Sequence, residues 1–284
     1  MYPILLTIGA FHLYSFSVFI ILAWALYSFL FWRSLRAEGV SEEHIFDTTF
    51  WATVGAFVAS RLGFVAFHWD IFSPTLLKIP AIWVAPGLSF YSSFLAGVGI
   101  SLVLARRYKM RLGWLLDAFA ASIPLTIIIG SIASLLDGSE VGAPAHLPFA
   151  IRYVGHEGLR HPYQLYVILA MGLLGIGVGY LGRRAKKDRW AYGLVGIWFF
   201  LLLSALMFGL EFVKESNIYW KSLSVNQWVL IALFGQSFGV YYVLGGGKEH
   251  IRNGIHSIVR ESRNAYRFMK EHVIGVQKRL TQSR

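Results

Sequence analysis

Residues 191–213 read AYGLVGIWFFLLLSALMFGLEFV, an apolar run whose only charge, Glu211, comes near its end. About 20 such residues are enough to cross a hydrocarbon core as a helix. Working outward, comparable stretches recur near 13–32, 47–68, 87–105, 116–136, 162–182 and 226–245. The whole chain of 284 residues is 56% hydrophobic and 14% charged, with mean hydropathy +0.56. Soluble domains carry far more charge. The reading is therefore an all-α polytopic membrane protein with about seven transmembrane helices and its termini on opposite sides.

The net charge of +11 suggests nucleic acid only if its placement is ignored. The basic residues sort by loop. Arg33 and Arg36, then Arg106, Arg107, Lys109 and Arg111, then Arg183, Arg184, Lys186, Lys187 and Arg189 occupy every second connection, and a basic tail follows Gly247. The alternate connections hold only Lys78, Arg152, Arg160, Lys214 and Lys221. The positive-inside rule then puts the N-terminus outside and the C-terminus in the cytoplasm, with no role in nucleic-acid binding. The polar stretch from Asp137 to Gln164 falls at the outer face.

The first apolar stretch lacks a basic leader and a small-residue cleavage site, so it reads as a retained helix. There is no cysteine, which excludes disulfides, thiolate metal sites and a cysteine nucleophile supplied by this chain. Neither metal nor cofactor is expected. Pro74 and Pro80 bracket a short interfacial stretch, Pro86-Gly87 opens the third span, and Gly138 to Pro148 forms an outer loop. Two parts are expected: a transmembrane domain over 1–246 and a tail over 247–284. In that tail Ile251, Ile255, Ile258, Tyr266, Met269, Val273, Val276 and Leu280 recur at helical steps among basic residues. This pattern suits an amphipathic helix on an anionic membrane surface; a partner-binding helix is the alternative.

Ionisable groups inside a bilayer are costly and default to a functional hypothesis. Arg61 stands mid-span and needs a carboxylate or a lipid phosphate. Asp117, Asp137 and Glu211 are the other buried candidates, and for Asp117 a structural ion pair is preferred. The most specific string is Arg160-His161-Pro162-Tyr163-Gln164-Leu165-Tyr166. There a basic pair meets a proline at a helix start, where free N–H groups and the positive dipole end favour an anion such as a lipid headgroup. A solvent-facing helix cap is an equal reading of the same residues.

Together these residues resemble the prolipoprotein diacylglyceryl transferase family of bacterial inner-membrane, seven-helix proteins, through roughly residues 12–245. Arg160 to Tyr166 matches the family's R-H-P-x-Q-L-Y, and Tyr14 matches a tyrosine of its first span. Ser60-Arg61-Leu62-Gly63-Phe64 is similar to G-R-x-G-Y, and Gly87-Leu88-Ser89-Phe90 to the G-x-S-F that leads into H-G-G. Ala105-Arg106-Arg107, Asp117 and Pro124 fall at matching intervals. The resemblance implies transfer of the diacylglyceryl group of phosphatidylglycerol, or of another anionic phospholipid, to the lipobox cysteine of a prolipoprotein, with release of glycerol phosphate. It also implies substrate-binding roles for Tyr14, Arg61, Asp137, Gly142, Arg160, His161, Gln164, Tyr166, Glu211 and Lys214.

The chain departs from the pattern at several points. Tyr91 stands for the histidine of H-G-G. Gly130 to Gly142 is similar to G-R-x-G-N-x-x-N-G-E-x-x-G, but Ser131 replaces its arginine, Ser134 and Asp137 its asparagines, and Glu140 comes one place late. Val167 replaces the glutamate after Q-L-Y, and Met207 an arginine four residues before the retained Glu211. One reading is a transferase with a rewired set, in which Tyr91 or His161 moves the proton. The alternative is a catalytically silent homologue that binds lipid or precursor, and a small-solute transporter ranks last.

Overall fold

A computed structural model describes residues 2–9, 11–216, 218–244 and 246–248. The expected amphipathic tail lies, from residue 249 on, outside the described residues. A hairpin of β1 (Ile4–Ile8) and β2 (Phe11–Tyr14) leads into α1 (Ser15–Ala37). There follow α2 (Glu42–Phe67), a single turn α3 (Trp69–Phe72), a 3-10 turn at Leu76–Lys78, α4 (Phe90–Arg107) and α5 (Leu112–Asp137). After a long loop come α6 (Tyr163–Lys187), α7 (Leu194–Glu211), a small hairpin of β3 (Tyr219–Trp220) and β4 (Leu223–Ser224), and α8 (Val225–Leu244).

Each of the seven apolar stretches is a long helix, and five of these helices, α1, α2, α5, α6 and α7, are long and apolar enough to cross a membrane among the described residues. The two not in that set have visible reasons. α4 ends on Arg106-Arg107, and α8 carries Asn226 and Gln227 in its first turn. The helices keep Ile21, Phe57, Leu169, Leu173 and Ile176 exposed in mid-segment. Such a surface is unfavourable in water and suits hydrocarbon, where a helix satisfies most of its backbone groups within its own segment.

Among residues 2–238, α5 is the centre: it packs against α1, α6, α7 and α4, while α2 packs on α4. The buried core joins Phe31, Leu115, Phe119, Met171, Phe199 and Phe200. The close crossing of α5 and α7 needs glycine. A Cβ on Gly196 would meet the Leu116 backbone at 2.4 Å, and one on Gly113 the Tyr192 carbonyl oxygen at 2.5 Å. Small residues at a membrane-helix crossing let backbones approach in this way. Asp117 seals the same joint: its carboxylate accepts the Gly193 and Gly196 amides, both at 2.8 Å, and so caps α7. The ion pair expected at Asp117 is not found among the described residues: its partners are amides and not a cation, and they tie α5 to α7.

α5 stops at Gly138, whose left-handed φ of 79° turns the chain out of the helix. The loop from 138 to 162 is then sewn to its surroundings by backbone bonds. Ala143 N–H donates to Val213 O and Glu215 N–H to Val141 O, each at 2.9 Å; His161 N–H donates to Ala143 O at 3.0 Å. These bonds bring the end of α5, the start of α6 and the chain after α7 into one place.

Candidate functional site

That junction concentrates the buried polar groups. α7 carries Glu211, 3% exposed, at its C-terminal end. A carboxylate there gains nothing from the helix dipole, so its burial is costly and calls for a purpose. Its Oε1 accepts from Asn226 Nδ2 at 2.6 Å, and its Oε2 has no hydrogen-bond partner among the described residues. One turn on, Lys214 pairs with Gly142 in an isolated β-bridge, which places its Nζ 2.7 Å from Glu140 Oε1 and 5.1 Å from the centre of the Tyr163 ring. Burial pulls the Lys214 ammonium down, but the Glu140 and Glu211 carboxylates outweigh it and hold the group above its ordinary value.

Tyr91, on the first turn of α4, sets its hydroxyl against the Glu211 carboxylate, short of a well-aligned hydrogen bond, with Glu140 also within electrostatic reach. Beside it α4, α5, α7 and α8 leave an apolar cleft whose walls include Phe90, Phe94, Ile127, Met207 and Leu230. The site thus has a polar ceiling, with one cation among two carboxylates, over an oily floor.

The Arg160 to Tyr166 string frames this ceiling. Arg160 Nη1 donates to Glu215 Oε2 at 2.5 Å and to Gly142 O at 3.3 Å, and its buried Nε has no partner among the described residues. His161 Nδ1 lies 3.1 Å from the Tyr166 hydroxyl, which fixes the ring while no described group occupies its other nitrogen. Gln164, fully buried, uses both ends of its amide: Oε1 accepts the Tyr153 hydroxyl at 2.5 Å, and Nε2 donates to the carbonyls of Glu140 and Ser134. Burial pushes the Tyr153 phenol up, so it remains a donor. Pro162 is the residue before the helix and not its first turn, and the Tyr163 N–H is spent on His161 O at 2.8 Å. One donor of the expected anion site is therefore already used.

The family model of prolipoprotein diacylglyceryl transferase matches residues 3–243. The chain belongs to this family. A phosphatidylglycerol–prolipoprotein diacylglyceryl transferase of Finegoldia magna is 30% identical over 199 residues, covering 70% of this chain and 77% of that protein. Those of Bordetella parapertussis and Nitrosomonas europaea are 27% and 28% identical, each covering 84% of this chain and 94% and 88% of their own.

Five departures from the transferase family pattern, Tyr91, Ser131, Ser134, Glu140 and Met207, lie around the same junction. Tyr91 and Met207 both wall the cleft. Ser131 and Ser134 are buried near the end of α5, where Ser134 Oγ donates to Ser131 O at 3.2 Å and reaches Glu140 Oε2 at 3.4 Å. Glu140, one place late by the family spacing, is nonetheless the Lys214 partner.

Three expected residues stand apart from the Glu211 and Lys214 cluster by their contacts. Arg61 was expected to need a carboxylate or phosphate; it finds backbone carbonyls instead. Its Nε, Nη2 and Nη1 donate to Ile79 O at 2.7 Å, Lys78 O at 2.8 Å and Gly87 O at 3.0 Å, and it rests 4.9 Å from the centre of the Phe72 ring. The segment between α2 and α4 has unmatched carbonyls because it is irregular, and Arg61 gathers three of them. Asp137 ends α5 exposed, and Tyr14 closes β2 half exposed; neither side chain makes a hydrogen bond to a described residue. Sequence reasoning missed Tyr153, Glu215 and Asn226. Of these only Asn226 left a signal, an amide pair with Gln227 at the head of an apolar span.

Proposed function

We propose that this chain moves the diacylglyceryl group of phosphatidylglycerol to the cysteine thiol of a prolipoprotein, releasing glycerol phosphate, in the bacterial cytoplasmic membrane. The observation that carries the reading is the family match across nearly the whole chain, joined to a buried acid, lysine and tyrosine cluster above an apolar cleft. The reading includes seven crossings, with the N-terminus outside and the 247–284 tail on the anionic cytoplasmic surface.

The thiol belongs to the precursor, since this chain has no cysteine. Its sulfur attacks the glycerol carbon that bears the phosphate ester. The S–C bond forms as the C–O bond breaks, and the electron pair leaves with glycerol phosphate. His161, held through Nδ1 by Tyr166, takes the thiol proton at its open nitrogen as general base. Lys214 turns from Glu140 towards the phosphate and stabilises the charge that builds there. Arg160, Gln164 and Gly142 hold the frame in which these two groups sit.

Complementation tests the reading. Cells depleted of their own transferase and supplied with this chain should accumulate thioether-lipidated precursor. Unmodified precursor alongside folded, inserted protein would exclude the reaction in favour of a silent, lipid-binding homologue.

A further inference from the structure

The hairpin of β1 and β2 leaves both its faces and its edges uncovered. Its residues 4–14, ILLTIGAFHLY, include no Asp, Glu, Lys, Arg or Pro. Ile4, Leu5, Leu6, Leu13 and Tyr14 are 42–51% exposed. Successive strand residues point to opposite faces, so the exposure of Leu13 and Tyr14 bares both sides of the ribbon. Thr7 pairs with His12 one step from Ile8 and Phe11, the pair that closes the turn. Pairs alternate along an antiparallel ladder, so Thr7 and His12 aim their backbone N–H and C=O groups outwards. Their side chains meet instead, Thr7 Oγ1 lying 3.2 Å from His12 Nδ1. Among the described residues no backbone bond from outside the hairpin reaches either one.

The base of this hairpin is fixed beside the Glu140 and Lys214 pair. Tyr2 N–H donates to Leu136 O at 3.0 Å, and the fully buried Ser15 donates from Oγ to Tyr2 O. In the same turn of α5, Ser134 O receives the Gln164 amide, and Ser134 Oγ reaches Glu140, the Lys214 partner. Free strand edges are normally guarded by charge or proline. This one has neither, and its one irregularity, between Ile4 and Leu6, leaves Thr7 and His12 clear. The other hairpin, β3 and β4, has two residues per strand and Lys221 at its turn. Water would satisfy the edge of β1 and β2 but not its apolar faces, and a lipid tail would do the reverse. An extended, uncharged polypeptide satisfies both. The signal segment of a secreted precursor has that character, an apolar stretch followed by small residues. We infer that an edge of the β1 and β2 hairpin takes the precursor's lipobox segment as a third, extended strand. The inference rests on the transfer reading above and names the surface that holds the peptide substrate.

The test is a backbone N-methyl scan of a fluorescent lipobox peptide, one residue at a time, titrated onto the purified full chain in detergent. Each methyl removes one N–H donor and leaves the side chain in place. Strand addition predicts a period of two. Methylation at every second residue should weaken binding about fivefold, the worth of one hydrogen bond, and methylation at the residues between should leave it as before. Thr7→Pro and His12→Pro each delete one outward N–H and keep the bonds between β1 and β2. One of the two should weaken the unmethylated peptide several-fold, erase the period and so identify the edge in use. A scan without a period, or a period that survives in both proline variants, overturns the docking edge. So do proline variants that keep the peptide and lose their hold on the membrane, which would make the hairpin an anchor. The scan on the unmodified chain stands even if a variant does not fold. A period without thioether product would sink the transfer reading and keep the edge; product from a peptide that shows no period would do the reverse.

Discussion

Replacing Arg61 by methionine separates a clamp from a headgroup cation. The guanidinium makes three hydrogen bonds to carbonyls, at 2.7, 2.8 and 3.0 Å, and bonds to a charged group contribute about 1.5–3 kcal/mol each. The low end for three is roughly 4–5 kcal/mol. Lys78, Ile79 and Gly87 are only half-buried, so water can take up part of what is lost, which reduces the expected cost to about 3 kcal/mol. For a chain of this size that corresponds to a fall in Tm on the order of 6–12 °C. The ten tryptophans make intrinsic fluorescence during heating in detergent a suitable assay. Arg61→Lys keeps the charge and the contact with Phe72 but cannot span three carbonyls, so it should fall between. An unchanged Tm in Arg61→Met together with lost lipid binding would refute the clamp and return Arg61 to the headgroup.

Three further outcomes follow from the geometry. Gly142→Ala should lower the transfer rate tenfold or more, because its Cβ would meet the His161 carbonyl oxygen at 2.0 Å and backbone must move; overpacking of this kind costs about 1–3 kcal/mol, and an unimpaired rate would show His161 to be dispensable. Lys214 has its folded-state value raised above the ordinary 10.5, so its stabilisation is complete below that pH and disappears only as pH climbs through the higher folded value. The Tm gap between the unmodified protein and Lys214→Met should therefore stay constant from about pH 7 to 9, and a gap that closes in this interval would contradict the pairing with Glu140. Because the chain lacks cysteine, single introduced cysteines report topology: an impermeant maleimide on intact cells should label Glu157→Cys and Lys221→Cys but not Lys109→Cys and Lys187→Cys, and the opposite pattern would invert the orientation.

The helices were legible because hydropathy alone specifies them, and only their ends moved. The stretch read near 162–182 continues to Lys187, since basic residues in a last turn favour the helix dipole and reach the headgroup layer, where hydropathy no longer sees a span. The second helix begins at Glu42 and not near 47 for a related reason, as acidic residues suit a first turn. The site was legible by residue type and not by pairing. Lys214 and Glu140 are 74 positions apart, and only the β-bridge at Gly142 brings them together. Arg61 misled because a buried cation suggests an anion, whereas an irregular segment supplies carbonyls that no periodicity reveals. Gln164 belongs to the most specific string in the sequence, yet its amide is consumed in holding the loop to α5.

On the proposed function, Lys214, Glu211 and His161 all serve group transfer on a lipid. Purified protein, reconstituted with phosphatidylglycerol and a lipobox peptide, should yield peptide heavier by one diacylglyceryl group together with one equivalent of glycerol phosphate by mass spectrometry. Peptide recovered at its original mass, from protein that still binds the lipid, would contradict it.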